Sequence, residues 1–133
     1  MSFLSPVGRC HSFDSRASGY TRSEGFGILV LKRLSSALQD CDTIRAVIRA
    51  TGVNQDGKTI GLTQPSSAAQ EELIKKTYKN FGLDMQMTRF VEAHGTGTQV
   101  GDPTEARALA KAFEGVRRVE DPLFMSVPLW ILF

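Results

Sequence analysis

The segment FVEAHGTGTQVGDPTEARAL, residues 90–109, decides the fold because it carries a strand end, a loop and a helix start in succession. Apolar and branched residues within TRFVEA, residues 88–93, favour a strand. His94 follows at the end of that strand, and glycines and threonines occupy the next four positions. A histidine at the end of a strand is held firmly, and the question is what this imidazole serves.

A helix is predicted after the loop. Asp102 can cap its first free amides, and Pro103 suits the first helical position. Glu105 falls where a capping-box carboxylate belongs. Apolar residues then recur at helical spacing and a glycine ends the run: Ala106, Leu109, Ala110, Phe113 and Gly115. Because capping accounts for both carboxylates, we expect Asp102 and Glu105 to be caps rather than catalytic groups.

The rest of the chain alternates between predicted strands and helices. The continuous apolar run at residues 26–34 and the alternating pattern at residues 44–53 each predict a strand. Residues 35–42 suit a short helix or turn, and residues 122–129 suit a fourth strand. Such alternation indicates an α/β protein with a mostly parallel sheet and flanking helices.

Residues 66–82 give the clearest helical pattern. Ser67 with Gln70 forms a plausible capping box, and Gly82 suits the helix end. Opposite charges one turn apart and a shared apolar face support the helix: Glu71–Lys75, Glu72–Lys76, and Ile74 with Tyr78 and Phe81.

Composition narrows the class of protein. The 133 residues suffice for one modest domain, and 41% hydrophobic with 23% charged residues is typical of a globular chain. The net charge is +2 without a basic stripe, so we expect no nucleic-acid partner. The two cysteines, Cys10 and Cys41, form neither a disulfide framework nor a metal-ligand pair, which predicts no metal and a cytoplasmic setting. The apolar end of the chain is too short to span a membrane and is broken by Pro128.

Two segments that resemble nucleotide-binding motifs are rejected. GVNQDGKT, residues 52–59, matches the phosphate-loop pattern, but Gly61 and Pro65 prevent the helix that must follow. The carboxylate of Asp56 would also lie beside phosphate oxygens. GTGTQVG approaches the dinucleotide fingerprint, yet Val100 stands in place of its third glycine.

The loop as a whole resembles a known family. VEAHGTGTQVGDPTEARAL resembles the histidine motif of β-ketoacyl synthases, and FDSRASGYTRSEGFG, residues 13–27, resembles their upstream segment. Ser23 stands there where the family has glycine. TGVNQDGKTIGLTQPSSAAQ is similar to the intervening region of type I polyketide synthases. The resemblance covers about residues 3–126 and implies part of the layered α/β thiolase-like fold.

By this resemblance, His94 would donate an imidazole N–H to a thioester oxygen as negative charge develops on it. Thr96 and Thr98 would hydrogen-bond the phosphopantetheine arm of an acyl carrier protein, past the open backbone of Gly95 and Gly97. Implied partners are acyl carrier protein with its acyl and malonyl thioesters, and a second copy in a homodimer. No covalently bound cofactor is implied. The alternatives are a core histidine bonded to backbone, and threonines that serve only the turn.

The family's chemistry also needs a nucleophilic cysteine, a lysine and a second histidine. Neither Cys10 nor Cys41 has the expected setting, and the pattern breaks after Val127, where Pro128 replaces the lysine. We therefore expect residues 1–126 to be a partial ketosynthase domain without the upstream nucleophile segment, and residues 127–133 to be a divergent apolar tail. Such a chain would not condense thioesters alone. The alternatives are a non-catalytic module that binds carrier protein or synthase, and a truncated product without a stable fold.

Overall fold

The computed structural model describes residues 3–59, 61, 64–117, 120 and 122–127. In chain order its elements are α1 (Leu34–Gln39), α2 (Ser67–Asn80), β1 (Phe90–Glu92), α3 (Gly101–Phe113) and β2 (Phe124–Ser126). One turn of 3-10 helix, Met85–Met87, lies between α2 and β1.

The two strands pair in parallel, with Phe90 opposite Phe124 and Glu92 opposite Ser126. The pairing continues for one residue, because the Ala93 amide donates to the Ser126 carbonyl at 2.8 Å. Helix α3 connects the two strands, as parallel pairing requires. The α/β class and both of these predicted strands are therefore confirmed. The predicted fourth strand extends into residues 128–129, which lie outside the described residues.

Helix α2 forms where the sequence predicts it, but its cap differs by one residue. Ser66 has an extended backbone, and its side chain accepts a hydrogen bond from the Ala69 amide at 3.2 Å. Ser67 already lies inside the helix, so its assignment as the cap is wrong. At the other end the amides of Gly82 and Leu83 bond back to the last turn, which closes the helix as expected. The predicted Glu71–Lys75 ion pair forms at 2.6 Å.

Helices α2 and α3 pack against each other, and α3 contributes three of the buried apolar residues, Ala108, Ala112 and Phe113. Tyr78 of α2 meets Phe113 of α3 edge to face, with ring centroids 6.1 Å apart. The Tyr78 hydroxyl also hydrogen-bonds the Thr88 hydroxyl at 2.7 Å, which ties α2 to the chain entering β1. Small residues on α3, Ala108 and Ala112, are fully or nearly fully buried and allow this close packing.

Two predicted strands do not form. Residues 26–33 and 44–53 belong to no strand, and their apolar side chains face solvent, with Phe26 98% and Val30 93% exposed. A strand is stabilised by pairing with a neighbour, and no described strand lies beside either segment. The predicted short helix after the first segment is confirmed as α1. Among the described residues, no helix is long and apolar enough to cross a membrane.

Candidate functional site

His94 lies directly beyond the paired end of β1, in the position that the sequence predicts for it. Its backbone amide donates to Glu105 Oε1 at 2.7 Å, and the Gly95 amide donates to Glu105 Oε2 at 3.0 Å. One carboxylate of α3 therefore holds two consecutive peptides, while the His94 side chain remains exposed. The histidine is not a core residue.

The two acidic residues of α3 do not cap that helix, so this prediction is wrong. Val100 precedes the helix and makes no side-chain cap. The first turn is instead closed by Thr98, whose hydroxyl accepts from the Gly101 amide at 3.0 Å. Both carboxylates turn away from their own helix and accept amides of more distant segments. Capping rules consider only the amides of the same helix, whereas these two carboxylates accept hydrogen bonds from amides outside it.

Asp102 joins three parts of the chain although it is only 3% exposed. Its Oδ2 accepts from the Phe13 amide at 2.7 Å, and its Oδ1 accepts from the Gly97 amide at 3.0 Å. The Thr96 hydroxyl contributes a longer bond at 3.4 Å. A buried carboxylate is tolerated when such donors satisfy it, and removal of the carboxylate would leave the amides unpaired.

The loop glycines are required by close contact. Gly97 has a φ of 70°, and a Cβ there would lie 2.9 Å from the His11 backbone nitrogen. Its carbonyl accepts from the Gly19 amide at 2.9 Å, so the loop and the 11–19 segment are bonded backbone to backbone. Gly95 has a φ of 53°, and its Cβ would lie 2.6 Å from Val127. These close approaches leave no room for a side chain at either glycine. Passage of a substrate arm beside the glycines stays a prediction.

A cleft of about 940 Å³ opens beside this loop. His94, Thr96 and Thr98 all line it, so the structure brings the three predicted functional side chains together. Leu73 and Ile74 of α2 supply an apolar wall. Mostly apolar walls with a few convergent polar groups are typical of small-molecule sites.

The cysteines lie apart from the cleft lining. The Cys10 sulfur accepts from the Thr21 amide at 3.1 Å, while Cys41 is exposed just after α1. Neither thiol is placed near His94 as a cleft-lining group. Within the described ranges, no cluster of three or more histidine, cysteine or acidic residues could hold a metal ion.

The sequence did not predict that Ser12 and Phe13 bond to the histidine loop and to Asp102. The Ser12 hydroxyl donates to the Gly95 carbonyl, and the Phe13 amide donates to Asp102. Phe13 also has a left-handed backbone, with a φ of 54°, which is unusual for a residue with a bulky side chain. The resemblance of residues 13–27 to a family segment indicated that this part of the chain matters, but it did not predict a contact with the loop.

Charge pairs that shift acid strength lie outside the cleft. The Arg16 side chain, through its hydrogen bonds, holds the pKa of Asp14 well below its ordinary value. Lys75 likewise lowers the pKa of Glu71, and Asp40 with Asp42 raises the pKa of Lys32. All of these are surface pairs, so they bear on the stability of the fold rather than on the chemistry of the cleft.

Two family models match most of the chain. Residues 1–37 match the family described as beta-ketoacyl synthase, N-terminal domain, and residues 45–128 match beta-ketoacyl synthase, C-terminal domain. The second match alone spans more than half of the chain and includes the whole cleft loop.

Curated fungal proteins are similar to the chain over most of its length. The reducing polyketide synthase PKS1 of Cochliobolus heterostrophus is 61% identical over 119 residues, which are 90% of this chain and 5% of that protein. The highly reducing polyketide synthase 40 of Fusarium mangiferae is 55% identical over 126 residues, or 95% of this chain and 5% of that protein. The chain thus spans a small part of the curated relatives it matches.

Solved structures agree with these matches. The ketosynthase from module 6 of the bacillaene synthase of Bacillus subtilis 168 is 42% identical with a TM-score of 0.86, covering 94% of this chain and 22% of that one. Ketosynthase twelve of the bacillaene polyketide synthase of Bacillus amyloliquefaciens is 32% identical with a TM-score of 0.88 and the same coverage. The thiolase-like fold is therefore confirmed, and the chain belongs to the β-ketoacyl synthase family as part of a polyketide synthase ketosynthase domain.

Proposed function

We propose that this chain carries the histidine-loop part of a ketosynthase. The parent activity is acyl transfer followed by decarboxylative condensation of acyl and malonyl thioesters held on acyl carrier protein. The observation that carries the proposal is the shared cleft, where His94, Thr96 and Thr98 meet beside an apolar wall. A cleft of this kind suits a long, narrow arm that ends in a thioester.

The role proposed for His94 is stabilisation of developing charge. Loss of carbon dioxide from a malonyl thioester leaves an enolate, whose negative charge gathers on the thioester oxygen. An N–H of the His94 ring, exposed to the cleft, would donate to that oxygen. Removal of one such donor typically raises the barrier by about 2.7–4 kcal/mol. Glu105 supports this role because it fixes the backbone on both sides of the His94 carbonyl.

The two threonines keep hydrogen-bonding capacity for a ligand. Their hydroxyls share one hydrogen bond at 3.1 Å. Thr98 also accepts from the Gly101 amide, and Thr96 also reaches Asp102. A hydroxyl has one donor and two acceptor positions, so each keeps one acceptor free. We propose that these acceptors take amide N–H groups of the phosphopantetheine arm.

The proposed partner is therefore a carrier protein loaded with a thioester, and a homodimer is proposed for the parent domain by family likeness. A titration tests the site. We would label the chain with nitrogen-15 and carbon-13 and add malonyl-loaded carrier protein, with carrier protein lacking the phosphopantetheine arm as control. We expect the His94 ring and the Thr96 and Thr98 amides to shift with the loaded form only.

His11 provides an internal reference, since the chain contains two histidines. Its ring does not line the cleft and should keep its signals. An absence of shifts at saturating carrier protein would remove the proposal. Equal shifts with carrier protein that lacks the arm would show that the phosphopantetheine arm is not the ligand.

A second candidate is a module that holds the arm without performing chemistry. It is favoured by one observation: the part of the cleft lining that the structure describes contains no cysteine and no lysine. An assay with acyl-loaded and malonyl-loaded carrier protein discriminates between the two. Formation of a β-ketoacyl product by the purified chain would exclude the binding module, whereas binding without product would favour it.

A further inference from the structure

Phe13 is one of two described non-glycine residues with a left-handed backbone; the other, Cys41, lies in an exposed turn. In this conformation the Cβ of an L-residue approaches the following carbonyl oxygen, so the backbone relaxes unless something holds it. Phe13 is partly buried within the segment that supports the histidine loop. Strain of this kind persists only where the surroundings over-determine it.

The holding group is Asp102. Its Oδ2 accepts the Phe13 amide at 2.7 Å, across 89 positions of sequence. Its other oxygen accepts the Gly97 amide at 3.0 Å. Because one buried carboxylate binds both amides, the backbone at Phe13 and the backbone of the loop have a fixed separation.

Phe13 in turn lies against the peptide that follows His94. A Cβ on Gly95 would lie 3.2 Å from the Phe13 ring, and the neighbouring Ser12 hydroxyl donates to the Gly95 carbonyl. Glu105 binds the Gly95 amide from α3. Gly95, the residue next to the histidine, is thus held by α3 at its amide and by the 12–13 segment at its carbonyl.

We propose that Asp102 is a positioning residue for His94 that acts through the left-handed backbone of Phe13. Without its carboxylate, Phe13 would relax to negative φ and its ring would leave Gly95, so the His94 ring would change its setting in the cleft. The purpose of this positioning rests on the proposed function. The coupling itself does not, and it is measured without any carrier protein.

A double-mutant cycle tests the coupling in the full 133-residue chain. Asp102→Asn keeps the size of the side chain but turns one oxygen into an amide that repels a backbone N–H. Phe13→Gly removes the cost of left-handed φ. We expect Asp102→Asn to speed hydrogen exchange at Gly97 about tenfold more with phenylalanine at 13 than with glycine there. The His94 ring signals should move in the first background and stay near their Phe13→Gly positions in the second.

Asp84→Asn is the matched control. Asp84 also accepts a backbone amide, from Gln86 at 2.9 Å, but it serves the 3-10 turn. It should leave the His94 ring unchanged, so a general loosening of the fold is distinguished from a change in the loop. Equal effects of Asp102→Asn in both backgrounds would overturn the proposal, as would an unmoved His94 ring.

A measurement on the unsubstituted chain keeps the proposal falsifiable if Asp102→Asn does not fold. A strong nuclear Overhauser effect between the amide and α hydrogens of Phe13, read together with their three-bond coupling, reports a positive φ, because these two hydrogens lie closer together there than at negative φ. Scalar couplings across the hydrogen bonds should link the Phe13 and Gly97 amides to the Asp102 carboxyl carbon. A negative φ, or a missing coupling at Phe13, would overturn the proposal whatever the carrier titration gives.

Discussion

Two parts of this chain, the histidine loop and the apolar segment 26–31, differ in how their backbone is satisfied. Around the histidine loop, Asp102, Glu105 and Gly97 bond the loop to α3 and to the 11–19 segment. In the segment 26–31, the large side chains are 73–98% exposed, and the structure assigns the segment to no strand. The loop lies on a short parallel pair and α3, whereas the exposed segment lies beside no strand in the described part of the chain.

The difference teaches that apolar pattern alone does not make structure. A loop rich in glycine and threonine is fixed because carboxylates, hydroxyls and backbone groups satisfy one another at short range. An apolar run gains stability only when its side chains are removed from water and its backbone is paired. We therefore expect the site region to be the rigid part of this chain.

Hydrogen exchange gives the largest expected contrast. The amides of Gly95 and Gly97 donate to carboxylates, and both residues are buried, so their exchange should be slowed by on the order of 100-fold or more. The amides of Leu29 and Val30 should exchange near the rate of an unstructured peptide. Exchange measured by NMR would check this. Protection of Val30 equal to that of Gly97 would show that the segment is paired and would remove the contrast.

Glycine-to-alanine changes sharpen the comparison at matched backbone. Gly97 and Gly57 have φ of 70° and 66°, but a Cβ at Gly97 meets backbone atoms while a Cβ at Gly57 meets nothing within 4 Å. Gly57→Ala should cost about 1 kcal/mol, from left-handed φ alone. Gly97→Ala adds overpacking and should cost about 3 kcal/mol. Urea unfolding measures both, and equal losses would mean that the loop is not closely packed.

Particular residues show how far the sequence predicted this arrangement. Local patterns predicted the helices α2 and α3 and the strand that precedes His94, because apolar spacing and chain breakers act within a few residues. The grouping of His94 with Thr96 and Thr98 followed from the motif. The bond between Asp102 and Phe13 could not be predicted, since the Phe13 amide is 89 positions away and no spacing rule joins the two residues.

The failed strands have a different cause. Residues 26–34 and 44–53 carry sound strand patterns, but a strand also needs a neighbour, and a single-sequence pattern does not say which neighbour is present. The cap at Ser67 failed by one residue because two serines stand side by side, and only the backbone angles of Ser66 distinguish them. The sequence pattern thus predicted where helices and strands are favoured, whereas contacts in the folded chain determined which of them form and where they end.

Glu105 offers a test of the carboxylate bonds. Glu105→Ala leaves the His94 and Gly95 amides without partners, although the exposure of His94 lets water replace one of them. We expect a loss of about 1–2 kcal/mol in the free energy of unfolding, together with a shift of the His94 ring signals. Glu72→Ala, on the exposed face of α2, should change stability by less than about 0.5 kcal/mol. Equal losses of unfolding free energy in the two variants would show that the Glu105 carboxylate does not stabilise the loop.

The smallest expected effect comes from the surface ion pair between Asp14 and Arg16 in the 11–19 segment. Hydrogen bonds and charge from Arg16 hold the pKa of Asp14 below its ordinary value of 3.8. A lowered folded pKa means that the carboxylate stabilises the fold fully above about pH 4 and loses this contribution as the pH falls further. The difference in urea midpoint between the unsubstituted chain and Asp14→Asn should therefore be visible at pH 6 and smaller at pH 2.5.

High salt should also reduce the Asp14 effect, because both partners are partly exposed. Asp56→Asn is the control: this carboxylate lies in the exposed loop and has no ion pair within the described ranges. Its removal should leave the acid dependence unchanged. If Asp56→Asn altered the acid dependence as much as Asp14→Asn, the effect would belong to net charge. The ion pair would then add nothing specific to the stability of the 11–19 segment. The contrast between the two regions would rest on the bonds of Asp102 and Glu105 to the loop amides.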